Sequence, residues 1–363
     1  VALVVLLAVV WVRVALHVEL DVESHPPTQD LTADARLLSD RFAAASRFEG
    51  CVLVARGGEV LEERCYGPRV TKDTQFSIGS VSKTFAGFVV MELVEAGMLS
   101  LDDAVSQHVP ELADHTVGRA TIANLVHMTS GLPAYWNLSF VLGIQLGDEP
   151  ATTAELLDEM KGYDLVSPPG TAHHYSNLGY VLLTIIAERA SGKTWGELLH
   201  GYAFEPAGLQ DTGVFGYDDA GAVSRGHLPL QPFGLGKPRM LALPRWNYSM
   251  IQGAAAVFTT ARDLYRWDRF LARVERTRPD FFLELISAEH GYAAGWEVND
   301  AVMEHDGEDP GYFAYLLRSR DTDTTALFVS GTQYSSNSNY GLADNLRSLV
   351  LEKPFTVVAE TDP

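Results

Sequence analysis

Positive charge is scarce in this chain of 363 residues: 27 Lys and Arg stand against 47 Asp and Glu, a formal net charge of -20. A surface of that sign repels phosphate backbones and excludes general nucleic-acid binding. Cysteine is nearly absent. Two residues with no Cys-x-x-Cys pair exclude a disulfide-dense scaffold and a cysteine-held zinc. No internal repeat or low-complexity tract is present, so solenoids and disordered tails drop out. Long apolar runs are lacking too, with one exception at the start. Val1 to Val12 are all apolar, Arg13 interrupts, and Val14-Ala15-Leu16 extends the run. A span needs about 20 apolar residues, so this run is too short to cross a bilayer. Its length suits the centre of a secretory signal, although neither a basic segment nor a small-x-small cleavage site flanks it. The reading is an exported or membrane-tethered, extracytoplasmic protein. The alternative is a buried N-terminal strand or helix in a cytoplasmic one.

What is present is globular: 47% hydrophobic and 20% charged residues, enough for a large core. Ser24 to Asp30 (SHPPTQD) reads as a linker, which makes 1–30 a leader or anchor plus linker. Residues 31–353 then form a single domain and 354–363 a tail. Leu31 to Phe48 has helical spacing and predicts a helix covering a sheet. Cys51 to Tyr66, turning at Gly57-Gly58, predicts a hairpin. With a three-residue loop the two cysteines face each other; with a two-residue loop they are offset by one. Only the first register admits a disulfide, in an oxidising compartment; two separate buried thiols are the alternative.

Ser80 to Ala96 predicts a core helix stopped at Gly97, and 101–209 is mostly helical. Gly213 to Asn247 reads as irregular loops, and Thr260 to Val274 as a helix with arginine-rich exposed faces. Gly291–Asn299, Tyr312–Arg318 and Thr324–Gly331 predict strands, and Asn339–Leu351 a closing helix. The fold class is therefore α/β (α+β). One antiparallel sheet is built from both chain ends and flanked by helices, with a helical subdomain at roughly 100–285.

Three small patterns carry chemistry. Ser80 and Lys83 share a face at the start of a buried helix. A serine is a poor nucleophile unaided, and a lysine depressed by burial can take its proton. Phe85, Phe88 and Val89 offer that burial. Tyr175-Ser176-Asn177 precedes another apolar helix. A tyrosine can relay a proton if nearby cations acidify it, and an asparagine amide can hold both an amine and a substrate carbonyl. The plainer reading of Asn177 is a helix N-cap. His305-Asp306-Gly307 precedes a strand. Gly307 lets a ligand approach the backbone, and His305 can donate to a carbonyl or carboxylate. Taken singly, each pattern is weak. His173-His174, adjacent and so facing apart, are structural, and Tyr135 and Trp136 could wall an acyl pocket or pack in the core.

Together, Ser80-x-x-Lys83, Tyr175-x-Asn177 and His305-x-Gly307, in that order, resemble the serine β-lactamase and penicillin-binding protein superfamily. The similarity is to its class C-like branch, with D-alanyl-D-alanine carboxypeptidases, esterases and D-aminopeptidases. Thr74–Thr84, Leu99–Asp103, Met128–Pro133, Pro169–Thr171, Tyr175–Tyr180, Thr259–Asp263 and Pro310–Tyr312 extend it over roughly 35–350. The resemblance implies a β-lactamase/transpeptidase-like fold and an ester- or amide-cleaving serine hydrolase acting on a small molecule or peptide. Ser80 would be acylated, Lys83 and Tyr175 would share the base role, and Tyr175 would also protonate the leaving group. Asn177 would orient Lys83 and bind substrate. The backbone N–H groups of Ser80 and of Glu308, just past Gly307, would form the oxyanion hole. No metal or organic cofactor is implied. Most relatives carry lysine where His305 stands, so recognition of a substrate carboxylate should be weaker. Gln252–Ala256 replaces paired glycines, a departure without interpretation at this level. A D,D-carboxypeptidase or β-lactamase acting on cell-wall-like substrates, an acyltransferase, and a non-catalytic peptidoglycan- or lipid-binding protein are the alternatives.

Overall fold

The computed structural model of the chain describes residues 22–46, 48–147, 149–230, 239–299, 302–333 and 336–359, so the N-terminal apolar run lies outside the described residues. Its strands are β1 (Val22–His25), β2 (Gly50–Arg56), β3 (Glu59–Tyr66), β4 (Phe76–Ser77), β5 (Gly213–Val214), β6 (His227–Leu230), β7 (Arg239–Ala242), β8 (Val257–Thr259), β9 (Tyr292–Ala293), β10 (Trp296–Asn299), β11 (Val302–Asp309), β12 (Tyr312–Ser319), β13 (Thr324–Ser330) and β14 (Phe355–Val358). Five helices matter most: α1 (Leu31–Ser46), α2 (Ser82–Glu95), α3 (Asn177–Ser191), α4 (Ala261–Thr277) and α5 (Ser336–Val350).

The main sheet runs β3-β2-β13-β12-β11-β10-β9, antiparallel throughout, so both chain ends do supply it. β12 and β13 are buried along their whole length because helices cover both faces. On one face Leu38 and Phe42 of α1 and Leu346 of α5 pack with Val52, Phe313 and Phe328. On the other lie α2, α3 and α4. α2 is apolar nearly all round and is accordingly embedded.

Several expectations are corrected. The segments read as linker and tail pair with each other, Val22 opposite Val358 and His25 opposite Phe355, with Phe355 and Val357 buried. Four residues per strand, one of them followed by Pro26-Pro27, are too few to show a period. The irregular 213–247 region holds β5, which pairs with β8 beside β4, and the β6–β7 pair. Gly291–Asn299 is two strands turning at Ala294 and Gly295, both at positive φ. The stretch around 305–307, expected only to precede the strand at Tyr312, is itself the strand β11. Its Glu304, Asp306 and Glu308 alternate with Met303, His305 and Gly307, and so many acids mask a strand. α4 packs on the sheet and not within the helical block: Leu264, Trp267, Leu271 and Val274 are buried, and Trp267 stacks on Phe85 at 4.3 Å. Nor are its arginines only a solvated face. Arg269 meets Asp268 at 2.6 Å and Asp323 at 3.0 Å.

Cys51 and Cys65 form a disulfide, Cα atoms 4.0 Å apart. The loop has two residues, which alone would offset them. Val54 faces Glu62 while Ala55 faces Val60, so Leu61 bulges out and restores the register.

Candidate active site

The short link from β4 into α2 carries Ser80 in a single 3-10 turn, Gly79–Val81. Lys83 follows on the first turn of α2, wholly buried. Its Nζ lies 2.9 Å from Ser80 Oγ, 2.7 Å from Asn177 Oδ1 and 2.6 Å from the Ala254 carbonyl. The last two are pure acceptors. A neutral amine that donates to both has its lone pair left for Ser80. Burial is the main force on this group and lowers its pKa to about 7; Asp309 and Asp306 pull weakly the other way. The burial does not come from Phe85 and Phe88, which pack on Trp267 and Phe270 of α4. Instead the rings of Tyr175 and Tyr180 lie 4.9 and 5.8 Å from the amine.

Tyr175 is brought in by the segment before α3, and its hydroxyl lies beside that of Ser80. Its phenol is not acidified. Burial first, then Asp306, hold it well above the ordinary tyrosine value, with the Ser80 hydroxyl opposing. A lysine that is itself half neutral supplies too little charge to reverse this. Asn177 is not the cap of α3. Ser176 is, accepting from the Gly179 N–H at 3.2 Å, and this frees Asn177 to hold Lys83.

Glycine lets β11 meet this turn. A β-carbon on Gly307 would lie 1.9 Å from the Ile78 carbonyl oxygen and 3.0 Å from Ser80 N, and one on Gly79 only 2.7 Å from Glu308 N. Pro310-Gly311 closes a two-residue hairpin between Asp309 and Tyr312. By alternation, Glu308 opposite Phe313 is a non-hydrogen-bonded position, so its N–H points away from β12. β10 pairs only as far as Glu304, leaving that edge open. Two backbone N–H groups, of Ser80 and Glu308, thus stand at one junction.

His305 borders the cavity, but both ring nitrogens are taken. Nδ1 lies 2.5 Å from the Asp306 carbonyl and Nε2 3.1 Å from the Tyr292 hydroxyl. Burial, helped by Lys83, drives its pKa down to about 3, so the ring is neutral. The expected donation to substrate is corrected to a structural role, locking Tyr292 behind Tyr175. Glu308 turns its carboxylate to Gln333. His173 lies by Tyr292, and Trp136 donates to the Met250 carbonyl at 2.7 Å while still bordering the cavity.

These groups open on a cavity of about 440 Å³ walled by Tyr135, Trp136, Trp246 and Ile251. A larger cavity of about 640 Å³, beside Glu188, Asp218 and Arg245, contains neither Ser80 nor Lys83. Among the described residues no cluster of three His, Cys, Asp or Glu side chains could hold a metal ion, and no helix is long and apolar enough to cross a membrane. Sequence reasoning missed Tyr180, Tyr292 and the Ala254 carbonyl. The last explains Gln252–Ala256. Gly253 and Ala256, both at positive φ, turn the chain so that a backbone oxygen reaches Lys83. No side-chain pattern could signal it.

Residues 35–351 match the family model described as Beta-lactamase. A penicillin-binding protein of Bacillus subtilis (strain 168) is 25% identical over 353 residues, covering 88% of this chain and 76% of that one. Protein flp of Staphylococcus aureus (strain MW2) is 23% identical over 303 residues, 73% of this chain; the chain spans only 56% of that relative's length. Among solved structures, the D-amino acid amidase of Ochrobactrum anthropi SV3 complexed with D-phenylalanine superposes with a TM-score of 0.74 at 21% identity, covering 89% of this chain and 99% of that one.

Proposed function

The chain belongs to the β-lactamase family of serine hydrolases, and from that premise we propose that Ser80 is its nucleophile and Lys83 the base that activates it. The observation that carries this reading is the wholly buried amine, 2.9 Å from Ser80 Oγ, whose other two contacts are fixed carbonyl acceptors. Lys83 takes the Ser80 proton as Oγ bonds to an ester or amide carbonyl carbon. The developing oxyanion sits between the N–H groups of Ser80 and Glu308, each worth roughly 10²–10³ in rate. As the bond to the leaving group breaks, Tyr175 gives that group its proton, and the proton that Lys83 took from Ser80 replaces it on the phenol. A phenol held neutral by burial suits an acid better than a resting base. Water then attacks the acyl-enzyme, its proton returning along the same path. Asn177 positions Lys83 through Oδ1 and offers its amide nitrogen to the substrate carbonyl.

The Cys51–Cys65 disulfide supports placing the protein in an oxidising, extracytoplasmic compartment. Incubation with a fluorophosphonate or penicillin probe, followed by peptide mapping, tests the nucleophile. The adduct is expected on Ser80 alone and absent from Ser80→Ala. Labelling that survives in Ser80→Ala refutes the assignment.

A further inference from the structure

The wall of the proposed active-site cavity is acidic. Glu297 on β10 and Asp306, Glu308 and Asp309 on β11 border it, and no arginine or lysine is among its lining residues. The crowding shows at Glu297. Burial of its inner side first, then Asp306 and Glu304, push its carboxyl up to about 7, only partly offset by Arg347. These carboxylates do not define a site by themselves. They edge one already defined by Ser80, Lys83 and Tyr175.

Their position within it is informative. Asp306 follows His305, whose ring lies 6.2 Å from that of Tyr175, and both Asp306 and Tyr135 bear electrostatically on the Tyr175 phenol. Asp306 thus flanks the group proposed to protonate the leaving half of the substrate. Tyr135 is 71% exposed at the same mouth. An open aromatic face beside carboxylates is the pairing that holds an organic cation. His305, neutral and internally bonded, offers nothing to a carboxylate there.

We infer that the enzyme selects esters or amides whose leaving half carries an ammonium group, held by Asp306, Glu297 and Tyr135. This deepens the proposed function and rests on acylation of Ser80. It also means that a leaving half ending in a carboxylate, such as a terminal amino acid, is disfavoured by repulsion.

Three thioesters with one acyl group test it: acetylthiocholine, its neutral carbon isostere 3,3-dimethylbutyl thioacetate, and anionic S-acetyl-3-mercaptopropionate. Thiol release gives kcat/KM for each. The cation is expected to exceed the neutral isostere roughly tenfold, and the neutral isostere the anion by about as much, both ratios shrinking with added salt. Asp306→Asn and Glu297→Gln should each cut the cation-to-neutral ratio about threefold. A variant that merely disturbs packing lowers all three rates together and leaves the ratio fixed, which would overturn that residue's assignment. Equal rates on the cation and its isostere, with turnover still dependent on Ser80, overturn the inference and spare the hydrolase reading. Turnover indifferent to Ser80→Ala would overturn both.

Discussion

Lys83 shows how one residue's chemistry is set by what surrounds it. On an open helix its amine would be a solvated cation; here Tyr175, Tyr180, Asn177 and Ala254 enclose it and burial brings its pKa to about 7. Tyr175 is moved upward by the same burial, which favours the acid role expected of it over the base role it was to share with Lys83, so the two groups divide as base and acid. The division has a kinetic signature. Tyr175→Phe should slow acylation by an amide, whose nitrogen must be protonated to leave, by roughly 10²–10⁴-fold. A p-nitrophenyl ester, whose leaving group needs no proton, should lose far less. Equal losses on both, read from kcat/KM, would deny Tyr175 the acid role. The residues Ser80, Lys83, Tyr175 and Asn177 were legible because each bears a distinctive side chain at fixed spacing. Ala254 was not, since its contribution is a carbonyl, and His305 was misread because its partner Tyr292 lies on another strand.

At the scale of elements, the site is made by two backbones that touch. The β4–α2 link and β11 approach so closely that neither Gly79 nor Gly307 has room for a methyl group. Gly307→Ala should push Ser80 N and Glu308 N apart and lower kcat/KM by at least about 10²-fold. KM for a good ester should move little, because the loss falls on the transition state. Wild-type kcat in this variant would show that the junction is not the oxyanion hole. Apolar stretches gave away α2, α3 and the strands β12 and β13, all deeply buried, and helical spacing gave away α1, which buries one face. β11 escaped, although it carries the junction, because its alternating acids leave no apolar stretch to mark it. The Cys51–Cys65 pairing depended on a bulge at Leu61 that no spacing rule announces.

Over the whole molecule, the chain ends close on each other as well as on the sheet. β1 and β14 pair outside α1 and α5, and Phe355 and Val357 bury their side chains there. Removing residues 354–363 should therefore cost about 3–6 kcal/mol, taking about 1.5–3 kcal/mol for each of the two buried side chains. Urea melts would read this, and an unchanged midpoint would return the segment to the status of a tail. The site itself draws on three distant stretches, near 80, 175 and 305, which the sheet and α3 bring to one cavity. Their order along the chain was readable. Their meeting, and the acidic wall around it, needed the fold.

The account turns on a neutral, buried amine beside Ser80, and the pH dependence of fluorophosphonate labelling at Ser80 measures that directly. The labelling rate should rise from pH 5 to 9 as a single titration centred near 7, because only the deprotonated Lys83 accepts the serine proton. In Lys83→Arg the rate should fall and the titration vanish. A wild-type rate flat across that range, or one rising only near the ordinary lysine value of 10.5, would contradict it.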